Sequence, residues 1–267
     1  MKIFSSPDHA LHFPRGELSG GEFVRPYECP ERWDYINKEL QIRGFNELIN
    51  PGELDLERVG RVHHPDYIEF LAGAWSEWTQ AGMQGDAIPT GMPVRRMQQR
   101  VPHDIGGKLG YYCMAVETAI TEGSWAAACS SAACAVSAQK HVSRGGAAFA
   151  LCRPPGHHAG LDYYGGYCFL NNAAIAAQGF LDEGAQRIAL LDVDFHHGNG
   201  SQDIFYARDD VLFLSLHGQP QDAFPYYRGY VDETGRGRGE GFNHNYPLPP
   251  GTDYSGWSEA LHSACRK

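Results

Sequence analysis

Residues 188–200 read IALLDVDFHHGNG. The first six are apolar apart from Asp192, and such a run reads as a strand buried on both faces of a parallel sheet. Two further runs have the same character: 147–152 (AAFALC), bounded by Gly145-Gly146 and Pro154-Pro155, and 211–216 (VLFLSL). Between the first two, 172–183 reads as a helix, capped by Asn171 or Asn172 and stopped by Gly184. Strand, helix, strand, short helix, strand implies right-handed βαβ crossovers and an α/β layered domain.

Working outward, 2–6 reads as a short opening strand, 30–43 as a helix, and 45–49 as a second short strand ended by Asn50-Pro51-Gly52. Residues 65–78 form a helix with Pro65 in its first turn, where the missing N–H costs nothing. A helix begins at Ser124, read as its N-cap, and stops at Gly145-Gly146. Residues 255–267 read as a last helix. Segment 80–107 carries Gly, Pro, Met and Arg without clean periodicity, longer than the ~12–15 residues at which an unstructured loop points to function. It sets Arg95, Arg96 and Arg100 beside Met92 and Met97, as a partner-binding face or a solvated excursion. No linker divides the chain, so 1–267 is expected to form one domain with an insertion at 80–107.

The 267 residues are 42% hydrophobic and 20% charged, which suits a buried core and excludes disorder. With 22 basic against 32 acidic side chains, the net charge of −10 disfavours nucleic acid and anionic membranes and favours a cationic partner. No leader-like segment and no run of roughly 18–20 apolar residues is found, so a soluble cytoplasmic protein is expected. Seven cysteines without a CxxC spacing read as reduced thiols.

Three adjacent histidine pairs stand out: His63-His64, His157-His158 and His196-His197. The first precedes Pro65 at a helix start and is assigned no role. With a side-chain period of two, Asp192, Asp194 and His196 share one face at the carboxyl end of a strand, with Val193 and Phe195 opposite. Ligands collect at that end of open α/β sheets. Deprotonatable groups on an apolar strand repel unless a cation compensates, and carboxylate with imidazole suits zinc or another first-row divalent ion. A phosphoryl-transfer reading of the Asp-x-Asp lacks the following Ser or Thr. His157 and His158 follow a Pro-Pro-Gly turn, and such a pair with an Asp behind it suits acid/base work.

RPPGHHA at 153–159, GYCFLNNAA at 166–174 and DVDFHHGNG at 192–200 resemble, in order and spacing, the zinc-dependent histone deacetylase superfamily, most closely its bacterial acetylpolyamine amidohydrolase branch. The resemblance implies a three-layer arginase/deacetylase-like α/β fold, its central, mostly parallel sheet flanked by helices. It implies zinc ligation by Asp194 and His196, and a tandem pair His157 and His158, with His158 as general base on the water at the zinc. Asp192 would polarise one of those histidines. Tyr167 and Phe224 match the walls of the family's narrow tunnel, and Gly166 the glycine whose carbonyl takes the substrate amide N–H. Ser215 and Leu216 match a potassium site shared with Asp192, Asp194 and His196. Glu117 is placed to meet a distal ammonium, or is a helix-surface carboxylate.

The implied reaction is removal of acetyl from an acetylated polyamine or related small amine, with a homodimer through 80–107. The family pattern also has a further metal-binding Asp in a Gly-x-Asp turn and a Tyr in a late Gly-Gly-Tyr, both beyond residue 267. The domain is therefore expected to be C-terminally incomplete, missing its last strands and one of three usual zinc ligands, with Asp253 a helix cap. A non-catalytic binder of acetylated amines and an acetyl-lysine protein deacetylase are the alternatives. A dinuclear manganese ureohydrolase of the arginase type would need more bridging Asp.

Overall fold

The computed structural model describes all 267 residues, which divide into two compact units, Met1–Gly179 and Phe180–Lys267. In the first, β1 (Lys2–Phe4) is followed by a hairpin of β2 (Glu17–Ser19) and β3 (Glu22–Val24), then α1 (Glu31–Ile42) and β4 (Leu48–Ile49). Next come α2 (Leu56–Val59), α3 (Pro65–Gln80), α4 (Ile105–Tyr112), α5 (Ser124–Val142), β5 (Ala148–Ala150) and α6 (Asn172–Asp182), whose last residues pass into the second unit. The sheet is parallel in the order β4-β1-β5. Cys134 and Ala138 of α5 pack on Phe4, with Ile49, Ala148, Ala150 and Cys152 around them. Small residues on one face of α5 let its backbone lie close to the sheet, and the burial of the apolar surface there stabilises both.

The second unit contains β6 (Ile188–Asp192), α7 (Asn199–Phe205), β7 (Val211–Gly218), β8 (Asn243–Leu248) and α8 (Tyr254–Ala264). Its sheet is parallel in the order β6-β7-β8. Trp257, Leu261 and Ala264 of α8 pack on Leu214, Leu216 and Tyr246, and each fully buried large apolar side chain contributes about 1.5–3 kcal/mol. Asp253 caps α8 by accepting from the Gly256 N–H at 2.9 Å, as its Gly-Thr-Asp turn suggests.

The expectation of strands buried on both faces holds for β7 and fails for β5 and β6. β7 is central and nearly continuously buried. All of β5 is half-buried, and Leu191 of β6 is 39% exposed. Each is the last strand of its three-stranded sheet, and a strand with one neighbour leaves part of its surface to water whatever its composition.

The helix from 124 starts one residue earlier than its expected cap. Gly123 is the N-cap, and the Ser124 hydroxyl accepts from the Thr121 N–H at 2.7 Å. Segment 80–107 is irregular up to Asp104, which caps α4. All seven cysteines are free, and no helix is long and apolar enough to cross a membrane.

Candidate functional site

In the first unit the loop after β5 is anchored at several points. Arg153 is buried, donates to Glu28 Oε1 at 3.0 Å and to the His12 carbonyl at 2.7 Å, with a further bond to the His9 carbonyl, and forms an ion pair with Glu28 Oε2 at 2.9 Å. The Pro154 carbonyl accepts from Ser131 Oγ at 2.7 Å. His63, 2% exposed, accepts at Nε2 from the Asn171 N–H at 2.9 Å. Its Nδ1 therefore carries the proton and donates to the Gly160 carbonyl at 2.7 Å. Burial lowers the His63 pKa to about 4. His64, the other member of that pair, caps α3 through the Asp66 N–H.

Those anchors fix His157 and His158, whose ring centroids lie 4.0 Å apart at 45°. His157 is half-buried and His158 buried. Gly166 lies against His158: a Cβ at Gly166 would fall 2.2 Å from His158 Cδ2, and its φ of +57° is one that side chains resist. Tyr167, at φ +66°, follows. The Gly166 N–H donates to Glu117 Oε1 at 2.9 Å, the Tyr167 N–H to Thr118 Oγ1 at 2.8 Å, and the Tyr167 hydroxyl to Glu17 Oε1 at 2.9 Å.

Glu117 thus sits in a turn beside Gly166 and Tyr167, not on a helix surface. The reason is local: α4 ends at Tyr112, before Glu117. Glu17 was not singled out from sequence. It lies on the β2-β3 hairpin, for which Gly20-Gly21 between short strands is the sequence signal. Burial pushes the Glu17 carboxyl up, against the bonds from Tyr167 and the Tyr27 N–H, and burial with the Glu17 bond pushes the Tyr167 phenol up.

In the second unit the strand stops at Asp192, so the alternation expected to put Asp192, Asp194 and His196 on one strand face does not extend through them. Instead, Asp192 Oδ1 accepts from the Asp194 N–H at 3.1 Å, and Asp194 Oδ1 from the His196 N–H at 2.8 Å. Asp side chains bond their own backbone two residues on and compete with the ladder. Two consecutive turns of this kind aim the carboxylates. Val193 and Phe195 are 51% and 66% exposed.

His196 Nδ1 stands 3.5 Å from Asp194 Oδ1. Two ligands of a tetrahedral zinc with bonds of about 2.0–2.1 Å are roughly 3.4 Å apart, so this pair fits a shared zinc in spacing and donor type. No grouping of three or more His, Cys, Asp or Glu side chains that could hold a metal occurs in the structure. Phe224 packs edge-on to His196, centroids 5.8 Å apart. His197 turns inward instead: it is 1% exposed and bonds through Nε2 to Gln202 Oε1 at 3.0 Å.

Ser215 is the register partner of Asp192 on β7 and is wholly buried. Its Oγ lies 2.8 Å from His217 Nδ1, and His217 Nε2 is 2.9 Å from the Gly229 carbonyl. A carbonyl only accepts, so Nε2 is the protonated nitrogen. Burial lowers the His217 pKa, so the ring is neutral and Nδ1 accepts from the Ser215 hydroxyl. The serine oxygen is left with lone pairs to offer.

The motifs lie within a longer match: the histone deacetylase domain model covers residues 26–267. The chain belongs to the histone deacetylase family. Within this deacetylase family it is 53% identical to the acetylpolyamine amidohydrolase of Mycoplana ramosa over 268 aligned positions, covering 100% of this chain and 79% of that one. It is 52% identical to acetylpolyamine amidohydrolase 1 of Pseudomonas aeruginosa, covering 97% and 76%. The crystal structure of the Burkholderia pseudomallei acetylpolyamine aminohydrolase superposes with a TM-score of 0.92 at 37% identity, covering 100% and 77%. The α/β arginase/deacetylase-like fold implied by the motifs is the fold of the chain.

Proposed function

We propose that this chain is a zinc-dependent amidohydrolase that removes acetyl groups from acetylated polyamines or related small acetylated amines. The observation that carries the reading is the buried His158, packed beneath Gly166 and against His157, in a chain half identical throughout to named acetylpolyamine amidohydrolases.

Asp194 and His196 hold the zinc, which when bound supplies Lewis acidity and a lowered water pKa. An imidazole nitrogen of His158 takes the proton of the attacking water, and the His157-His158 pair returns a proton to the leaving amine. Asp192 is assigned the role of polarising one of the two histidines. Tyr167 and Phe224 contact the aliphatic stem, and the Gly166 carbonyl accepts the amide N–H. Glu117 and Glu17, both in contact with the Gly166-Tyr167 turn, supply negative charge toward an ammonium. Ser215, Leu216, Asp192, Asp194 and His196 hold potassium, for which the serine lone pairs are oriented by His217.

Residues 1–267 act as one deacetylase domain in the cytoplasm, and a homodimer forms through 80–107. There Met92, Val94 and Met97 are 41%, 65% and 67% exposed, an apolar surface suited to burial against a second copy. The test is acetate release from an acetylated polyamine by zinc-loaded protein. Chelation or Asp194→Ala is expected to abolish it, and His158→Ala to lower it by roughly 10²–10⁴-fold. Full turnover in either variant would overturn the assignment. Binding without turnover by the unaltered chain would favour the non-catalytic reading.

A further inference from the structure

The turn after Phe224 holds an aromatic ring out into water on a backbone that resists doing so. Tyr226 has φ +66°, a conformation that a bulky residue adopts only under strain, yet its ring is 50% exposed. The turn is closed by backbone bonds from Tyr226 to the Ala223 carbonyl at 3.1 Å and from Tyr227 to the Pro225 carbonyl at 2.8 Å. The Tyr230 hydroxyl donates to the Tyr226 carbonyl at 2.9 Å. Gly229, three residues on, is tied at both ends, its N–H to Glu233 and its carbonyl to His217, each at 2.9 Å. The ring is exposed, and the backbone that carries it is held by these bonds.

It also lies in a series. His196 and Phe224 meet at 5.8 Å and 83°, Phe224 and Tyr226 at 6.3 Å and 83°, and Tyr226 and Tyr227 at 6.3 Å and 70°. Each step is edge to face, leading from a proposed zinc ligand outward to solvent. The charged side chains beside the turn are Asp222 and Arg228, both exposed and of opposite sign. Their charges sum to zero, and Glu233 Oε2 is engaged by the Gly229 N–H and by Gln202, so the negative face of the ring is the turn's own cation-attracting group.

We propose that Tyr226 is a specificity-determining residue whose exposed ring face receives the free ammonium of the acetylated amine by cation–π attraction. This rests on the amidohydrolase reading and adds to it, besides the carboxylates of Glu117 and Glu17, a second group that favours charged over uncharged amides.

The test compares N-acetylputrescine with uncharged N-butylacetamide on zinc-loaded protein, measuring turnover and, by calorimetry, binding. Tyr226→Gly relieves the φ strain, so thermal stability is not expected to fall. It is expected to lose roughly three- to tenfold in kcat/KM and in affinity for N-acetylputrescine, through KM, with N-butylacetamide unchanged. Tyr226→Phe keeps the ring face and is expected to keep the preference. Equal losses on both amides, or no loss on the charged one, would overturn the inference while leaving the amidohydrolase reading intact. Binding without turnover by the unaltered protein would overturn that reading, and the Tyr226→Gly affinities would still decide the role of the ring. Neither turnover nor binding would overturn both.

Discussion

Replacing Arg153 by Met keeps the length of the stem and removes a buried charge. Arg153 and Glu28 have side chains 3% and 4% exposed, at 2.9 Å. Removing one partner of a buried pair costs about 3–5 kcal/mol, because the other charge stays desolvated. The His9 and His12 carbonyls also lose a charged donor, each worth about 1.5–3 kcal/mol, though these terms overlap. A net loss of about 5 kcal/mol consumes much of a typical domain's 5–15 kcal/mol. At roughly 2–4 °C per kcal/mol it lowers the melting temperature of the first unit by about 10–20 °C.

The loss depends on pH in a definite direction. Burial raises the Glu28 pKa even with Arg153 opposing it, and removing Arg153 raises it further. A carboxyl whose folded pKa is raised binds its proton more tightly when folded. Its burial is therefore tolerated at low pH and destabilises as pH climbs from the unfolded value, about 4.3, through the folded one. Calorimetry of Arg153→Met should show a smaller deficit at pH 5 than at pH 8, and Glu28→Gln in the same background should restore several degrees. A deficit of under about 3 °C, or one that grows on acidification, would refute the reasoning, since breaking a buried pair cannot be so cheap.

Gly166→Ala forces a Cβ into His158; displacing a reacting group by about 1 Å costs on the order of 10²-fold in turnover, so activity should drop by that much with zinc content unchanged. His63 and His12, with pKa values lowered by burial to about 4 and about 3, bind protons mainly when unfolded. Stability should thus be fully present above pH 6.5 and fall by about 1.4 kcal/mol per pH unit for each as pH drops below it; urea titrations of His63→Gln should lose one such contribution. His217→Leu deprives the Ser215 hydroxyl of its acceptor, and the rise in melting temperature with KCl over NaCl expected of the parent should shrink in this variant; an equal rise in both would count against the potassium assignment.

Much of the fold was legible because its signals are local. The helix 65–78 was set by Pro65 and apolar spacing and appears as Pro65–Gln80; residues 172–183 appear as Asn172–Asp182, with Asn171 capping through Ala174. The β2-β3 hairpin, α4 and β8 were missed: their apolar pattern is short, and β8 in particular, NHNYPL, is held by β7 rather than by its own composition. The candidate site was legible as motifs but not as geometry. Alternation suggested that Asp192, Asp194 and His196 extend a strand, whereas hydrogen bonds to their own backbone turn the chain.

Sequence alone determined the α/β alternation, the family, the Asn171 and Asp253 caps and the two motifs that carry histidines and carboxylates, since each depends on residues close together in the chain. Tertiary structure alone decided which strands stand at sheet edges, that Glu28 neutralises Arg153 125 residues away, and that Glu17 meets Tyr167 across 150 residues. Side-chain period and cap chemistry act within a few residues, whereas the partner of a buried charge is chosen by the closure of the whole chain, where an unpaired group costs more than any local preference can offset.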